Sequence, residues 1–144
     1  MTLLSVKDLT VTFPSPRGPV PVVDGVSFDI GRERLAIVGE SGSGKSMTAR
    51  AILRLIRPPG RVAGALTFEG RDLATLTERE MRAVRGARIY MVMQDPRYSL
   101  NPVMSVGDQI AEALRTHDRL PRKTVKTRMR EMLTAVRLDD PDRV

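Results

Sequence analysis

The sequence of 144 residues predicts an α/β fold, and three observations lead to this prediction. A short, purely aliphatic run at residues 35–38 is typical of a strand buried on both faces of a parallel sheet. A Gly/Ser-rich turn follows this run, and an amphipathic helix follows the turn. A second apolar run, at residues 88–93, predicts another strand of the same core. Strand, turn and helix in this order indicate an α/β unit.

The N-terminal segment is expected to contribute mainly antiparallel β structure. β-Branched and apolar residues at 4–13 and 22–30 predict two strands, separated by the proline-rich loop at 14–21. Another strand is expected at residues 65–68, with a turn at Gly70.

Two helices have clear boundary signals. The helix after the Gly/Ser-rich turn is expected at residues 45–57, because it has one apolar face and then meets a Pro-Pro-Gly sequence. Thr77 and Glu80 have the spacing of a capping box and predict a short helix that ends at Gly86.

Two more helices are expected near the C-terminus. Ser105 and Asp108 predict the cap of a helix that runs to about His117. The last helix is expected at residues 122–136, with an apolar face formed by Val125, Met129, Met132, Leu133 and Val136.

The composition narrows the function classes. Cysteine is absent, which excludes disulfides, thiolate metal sites and cysteine catalysis within the chain. The net charge of +7 invites a nucleic-acid interpretation, but residues 1–72 carry 10 basic and 7 acidic side chains and residues 73–144 carry 14 and 10. Because the excess is evenly spread, no nucleic-acid partner is expected. No secretory signal or membrane-spanning apolar run is recognised, so any membrane role is expected to be peripheral.

The sequence GESGSGKS after the aliphatic run fits the pattern of a phosphate-binding loop. Small residues let backbone N–H groups wrap a phosphate chain, and the helix that begins near Lys45 directs its positive end at the phosphates. Lys45 adds a full charge for the β- and γ-phosphates, and the Ser46 hydroxyl is a ligand for Mg²⁺. The pattern alone also fits an ordinary Gly/Ser-rich turn between a strand and a helix.

The neighbouring residues resemble one family of phosphate-loop proteins. GESGSGKS, preceded by VVDGVSFDI and LAIVG, resembles the ATP-binding subunits of ABC transporters. The stretch YMVMQDPRYSLNPVMSVGDQI is similar to the region around the Q-loop in the oligopeptide, dipeptide and nickel importers of that family. The resemblance implies a P-loop NTPase fold of the ABC type, with an antiparallel β portion and part of a helical subdomain.

The resemblance also implies a set of binding residues. Gln94 would lie near Mg²⁺ and the γ-phosphate, and Phe13 matches the aromatic residue that stacks on adenine, although a Phe at a strand end also fits a core position. The expected ATP site comprises Phe13, Gly39, Glu40, Ser41, Gly42, Ser43, Gly44, Lys45, Ser46, Met47 and Gln94, with Ser46 and Gln94 at the metal.

The implied function is the coupling of ATP binding and hydrolysis to import of a peptide or nickel-class solute. Expected partners are a second ATPase subunit (identical or homologous), integral membrane permease subunits and, indirectly, a solute-binding protein, at the cytoplasmic face of the cell membrane. A soluble ABC-type ATPase that acts on nucleic acid or ribosomes is the alternative, and a small P-loop kinase is a third interpretation. The Gln-Asp-Pro and Leu-Asn-Pro motifs favour transport.

The family's signature sequence, its acidic strand end and its switch histidine do not occur in the 144 residues. The chain is therefore expected to be an N-terminal fragment with no catalytic residue of its own and no ATP hydrolysis. Within it, residues 1–38 and 61–72 are expected to form the β portion, 34–57 the phosphate-loop core, and 95–144 the Q-loop and the start of the helical subdomain.

Two other features have simpler interpretations. His117, the single histidine, is expected to be a helix-end residue and not a phosphate sensor. The basic cluster near the C-terminus is expected to be a solvated helix face, with contact to anionic lipid headgroups as the alternative; it comprises Arg119, Arg122, Lys123, Lys126, Arg128 and Arg130.

Overall fold

The computed structural model of the protein describes residues 2–93, 100–118 and 120–137. The chain divides into two compact units, residues 1–90 and 91–144. The described elements follow the order β1 (Leu4–Phe13), β2 (Val20–Ile30), α1 (Lys45–Ile52), β3 (Arg61–Phe68), β4 (Arg71–Asp72), α2 (Glu78–Val84), α3 (Val106–Asp118) and α4 (Arg122–Ala135). No described helix is both long enough and apolar enough to cross a bilayer.

The first unit is built on an antiparallel sheet with the strand order β2-β1-β3-β4. The inner strand β1, which pairs with β2 and β3, buries Val6 and Leu9 in the same core although they are three residues apart. A register shift between them makes this possible, with Asp8 at φ 50°. The irregularity passes close to β3 at Gly64, where a Cβ atom would meet the carbonyl oxygens of Lys7 and Asp8 at 2.6 Å. A glycine is therefore required opposite the bulge.

The core of the first unit lies between the sheet and the two short helices. The aliphatic side chains of β1 meet Ala51 and Ile52 from α1 and Met81 and Val84 from α2. Burial of this face, more than helix propensity, holds α1 and α2 in place, because helices of eight and seven residues are too short to be stable alone.

The capping box predicted at Thr77 is confirmed. The Thr77 hydroxyl accepts from the Glu80 backbone N–H at 3.3 Å, and Glu80 Oε2 accepts from the Thr77 backbone N–H at 2.9 Å. The backbone N–H of Thr77, its hydroxyl and the Arg71 guanidinium lower the pKa of Glu80 below its ordinary value. These contacts of Glu80 therefore stabilise the fold at pH values above the ordinary carboxyl pKa. The stabilisation is lost as the pH falls through the lowered pKa of Glu80.

The second unit contains α3 and α4, which pack through Ala111, Leu114 and Val125. The predicted cap at Ser105 is confirmed, because its hydroxyl accepts from the Asp108 N–H at 3.0 Å. The predicted apolar face of α4 is only partly buried: Val125 and Leu133 are buried, whereas Met132 and Val136 are exposed.

Both predicted core strands are absent from the described residues. Residues 35–38 and 88–93 are in no helix or strand, although Ile89 forms an isolated parallel bridge with Arg85. Val38 and Val92 are 92% and 81% exposed. A buried parallel strand must be hydrogen-bonded to neighbouring strands and covered by helices. The described sheet pairs β1 to β4 with one another and gives neither segment such a neighbour. Apolar composition alone therefore does not make these segments strands.

The helix predicted at residues 45–57 ends five residues early, at Ile52. Arg54 lies at φ 52°, its N–H donates to Ala51 O at 2.9 Å, and the Leu55 N–H donates to Arg50 O at 2.8 Å. This pair of bonds is a Schellman motif, which ends the helix before the prolines are reached.

The capping box provides a test of the local structure. Thr77→Ala removes the acceptor of the Glu80 N–H, and we expect it to lower the free energy of unfolding by about 1 kcal/mol. Thr77→Ser retains the hydroxyl and is the matched control. Urea unfolding measures both variants, and equal stability of the Ala and Ser variants would contradict the role of the box.

Candidate phosphate-binding site

The loop of residues 39–46 leads from the exposed segment 35–38 into α1. Gly42 and Gly44 lie at φ 85° and 88°, in the left-handed region, and Gly44 is the N-cap residue of α1. A Cβ atom on Gly44 would also lie 2.5 Å from the carbonyl oxygen of Val22 in β2. Gly44 is therefore needed twice, for its backbone conformation and for the close approach of the loop to the sheet.

Lys45 is the first residue of α1, and its side chain turns back onto the loop. Its Nζ donates to the carbonyl oxygens of Gly39 and Glu40, both at 2.7 Å, and to Ser43 Oγ at 3.2 Å. The loop thus encircles a full positive charge with three neutral acceptors. An anionic oxygen forms stronger hydrogen bonds to an ammonium group than these neutral oxygens do.

The N-terminus of α1 adds to this positive potential. No described side chain caps the helix, and its first turn contains no acidic residue. The first helical N–H groups of any α-helix have no acceptor within the helix, so those of α1 are available to an anion. Ser46, the second residue of the helix, is exposed and presents a hydroxyl oxygen, a ligand type that Mg²⁺ accepts.

The other end of α1 is fixed by two arginines, which sequence analysis did not single out. Arg54 donates to the carbonyl oxygens of Leu73 and Leu76 at 3.1 and 2.6 Å. Arg85 donates through Nε to Leu53 O at 2.7 Å. Two guanidinium groups thus tie the C-terminal end of α1 to neighbouring backbone. Because the backbone acceptors of these arginines are distant in sequence, no local sequence pattern could have identified Arg54 and Arg85.

Phe13 lies at the end of β1, half-buried, beside a groove of about 520 Å³. Met47 of α1 lines the same groove, so the structure brings these two predicted site residues together. The Phe13 ring also packs against the core and lies close to Gly60. Arg50 and Arg57 line the groove and were not predicted. Residues three apart on a helix lie on the same face, so the position of Met47 could have indicated that Arg50 also lines the groove.

The structure does not place every predicted site residue. The residues of the loop and the start of α1 lie together in the first unit, whereas Gln94 lies outside the described residues. Among the described residues, no three histidine or acidic side chains form a cluster that could hold a metal ion.

Comparison with known proteins gives consistent matches. The family model described as ABC transporter matches residues 23–144. The chain is 48% identical to the oligopeptide transport ATP-binding protein OppD of Bacillus subtilis, a match that covers 98% of the chain and 40% of OppD. It is 47% identical to the dipeptide transport ATP-binding protein DppD of Haemophilus influenzae, over 99% of the chain and 44% of DppD. The chain thus spans about two fifths of the length of these curated relatives.

A solved structure supports the fold. The dimeric structure of MJ0796, a bacterial ABC transporter cassette, superimposes on the chain with a TM-score of 0.79 at 23% identity. The match covers 95% of the chain and 58% of the cassette. At this identity, the likeness concerns the fold.

The two loop glycines provide a matched test of the site. Gly42→Ala introduces backbone strain alone, since no atom lies within 4 Å of the added Cβ, and we expect a loss of about 1–2 kcal/mol in the free energy of unfolding. Gly44→Ala adds the clash with Val22 O, and we expect a further loss of about 1–3 kcal/mol. Denaturant unfolding compares the two variants. Equal losses would show that the approach of the loop to β2 imposes no constraint.

Proposed function

The chain belongs to the ABC transporter family, and we propose that it is the part of an importer's ATP-binding subunit that holds the phosphates of ATP. The resemblance inferred from the loop and Q-loop sequences is thereby confirmed at the level of the family. The observation that carries the proposal is the Lys45 ammonium group, encircled by the loop at the uncapped N-terminus of α1.

In the proposed complex, the β- and γ-phosphates take the place of the Gly39 and Glu40 carbonyls as acceptors for Lys45 Nζ. The N–H groups of Gly42 and Gly44 and of the first turn of α1 supply further donors. The Ser43 N–H, which donates to Glu40 O at 3.2 Å, exchanges that carbonyl for a phosphate oxygen in the proposed complex. Mg²⁺ neutralises phosphate charge, and we assign the Ser46 hydroxyl as one of its ligands. Gln94 is proposed as a second ligand on the basis of its place in the family sequence.

The relatives favour import over the alternative functions. Three proteins that match nearly the whole chain are named as oligopeptide or dipeptide transport ATP-binding proteins. We therefore propose a peptide as the solute class, and a second ATPase subunit, membrane permease subunits and a solute-binding protein as direct or indirect partners. The proposed location is the cytoplasmic face of the membrane, as a peripheral subunit.

Lys45→Ala tests the phosphate site. The ammonium contacts contribute about 1.5–3 kcal/mol, so we expect the variant to bind ATP about ten- to a hundredfold more weakly in calorimetry. Lys7→Ala, at an exposed position of β1, removes the same charge outside the loop and is the control. Equal affinity of the two folded variants would rule out the assignment.

Phe13 is proposed to stack on adenine from the wall of the groove. Since its ring also contacts the core, Phe13→Leu, which keeps apolar volume, is a better probe than alanine. We expect Phe13→Leu to lose about 1–3 kcal/mol of ATP affinity and Phe13→Tyr to retain most of it. If Leu and Tyr bind ATP equally well while thermal stability in the absence of nucleotide differs, Phe13 is a core residue only.

We also propose that the 144-residue chain alone binds ATP without hydrolysing it. Glu40 is the sole acidic residue of the loop, and its described hydrogen bonds are made by its backbone carbonyl. Hydrolysis needs an oriented water beside stabilised phosphate charge. We expect phosphate release from Mg·ATP to equal that of Lys45→Ala. Turnover that depends on Lys45 and reaches about 1 s⁻¹ would contradict this proposal.

A further inference from the structure

Arg85 connects the C-terminal ends of α1 and α2. It is the C-cap residue of α2, and its side chain is 22% exposed. Each of its three guanidinium nitrogens has its own acceptor: Nε donates to Leu53 O at 2.7 Å, Nη1 to Glu78 Oε1 at 2.6 Å and Nη2 to Arg54 O at 3.2 Å. Because the guanidinium group is planar and rigid, it fixes these three acceptors relative to one another.

Two of these acceptors belong to the turn that ends α1, where Leu53 is the C-cap residue. The last carbonyl groups of an α-helix have no partner within the helix, and a cation there complements the negative end of the helix dipole. α1 has eight residues, so about 12 Å separates this end from the phosphate loop. A short helix transmits displacement as a rigid element. A shift of its C-terminal end therefore also moves Lys45 at its N-terminus.

Glu78 holds the guanidinium group of Arg85 from the side of α2. It lies in the first turn of α2, directly after the Thr77 cap. The hydrogen bond from Arg85 lowers the pKa of Glu78 below its ordinary value, so both groups are charged at neutral pH. The position of α1 is thus linked to that of α2 through one side chain, in addition to the contacts of the apolar core.

Arg82 provides a matched comparison on the same helix. It also pairs with Glu78 Oε1, at 3.8 Å, and its side chain is 77% exposed. Within the described part of the chain, Glu78 is its one partner. Arg82 therefore shares the charge, the helix and the acidic partner of Arg85, and it differs in making no bond to the end of α1.

We propose that Arg85 is a positioning residue for the phosphate site. It holds the C-terminal end of α1 and thereby keeps Lys45 and the N-terminus of the helix where they meet the phosphates of ATP. Arg85 makes no contact with the nucleotide and acts through α1 alone. The inference rests on the ATP site proposed above, and it adds that the affinity of this site depends on a bond between α1 and α2.

The test is calorimetric titration of the 144-residue chain with ATP, with each affinity referred to the folded fraction measured by urea unfolding. We expect Arg85→Gln to weaken ATP binding about tenfold, since loss of a residue that orients a binding group costs about 10- to 100-fold in metal sites. Arg82→Gln removes the same charge and a contact to the same carboxylate, and we expect it to leave ATP affinity unchanged. Equal affinities of these two variants would overturn the proposal.

A double-mutant cycle separates positioning from a general loss of stability. If Arg85 acts through the position of Lys45, its removal matters less once the ammonium group is absent. We therefore expect the loss in Lys45→Ala/Arg85→Gln to be smaller than the product of the two single losses, by about twofold or more. A loss equal to that product would also overturn the proposal.

The remaining outcomes are equally distinct. Normal ATP binding by Lys45→Ala would reject the phosphate site itself, whereas a weakened Lys45→Ala beside a normal Arg85→Gln would reject the positioning role alone. If Arg85→Gln does not fold, Arg85→Lys carries the test, because lysine keeps the charge beside Glu78 but lacks the planar fork that spans both carbonyl groups. We expect Arg85→Lys to lose about twofold or more in ATP affinity, and an unchanged affinity would contradict the proposal.

Discussion

The loop can lie against the sheet only because Gly44 has no side chain. Its α-carbon lies so close to the Val22 carbonyl that a Cβ atom would be 2.5 Å from that oxygen. This contact fixes the start of α1 relative to β2, and Met47 and Ile52 then pack against the core. The Lys45 ammonium is held inside the loop as a consequence, since the residue after Gly44 begins the helix that Gly44 positions.

The far end of α1 is held by a different kind of contact. Arg54 adopts a left-handed conformation that disfavours most side chains by roughly 1–2 kcal/mol. Its guanidinium bonds to Leu73 O and Leu76 O offset this strain, and Arg85 binds the last carbonyls of the turn. A helix of eight residues is therefore fixed at both ends, and with it the end of the loop that leads into the helix. Such preorganisation limits the entropy lost on binding.

The sequence predicts features that depend on neighbouring residues better than features that depend on residues distant in the chain. The caps at Thr77 and Ser105 each depend on two residues three positions apart, and both were predicted correctly. The sequence pattern that predicts the phosphate loop is equally local, since small residues and a lysine must follow one another directly. The strands expected at residues 35–38 and 88–93 depend on partners distant in sequence, and the structure provides none among the described residues. α1 ends early in a Schellman motif whose left-handed residue is Arg54 and not a glycine. The Arg54 guanidinium is bound by carbonyl groups about twenty residues away, so no local pattern reveals this end.

We propose that the three loop oxygens bonded to Lys45 Nζ occupy the acceptor positions that phosphate oxygens take when ATP binds. The most direct measurement is a crystal structure of the chain with Mg²⁺ and a non-hydrolysable ATP analogue. We expect Lys45 Nζ to leave the Gly39 and Glu40 carbonyl oxygens, now at 2.7 Å, and to lie about 2.8 Å from a β- or γ-phosphate oxygen, a charge-assisted hydrogen-bond distance. Nucleotide bound elsewhere, with Lys45 still bonded to both carbonyls, would contradict it.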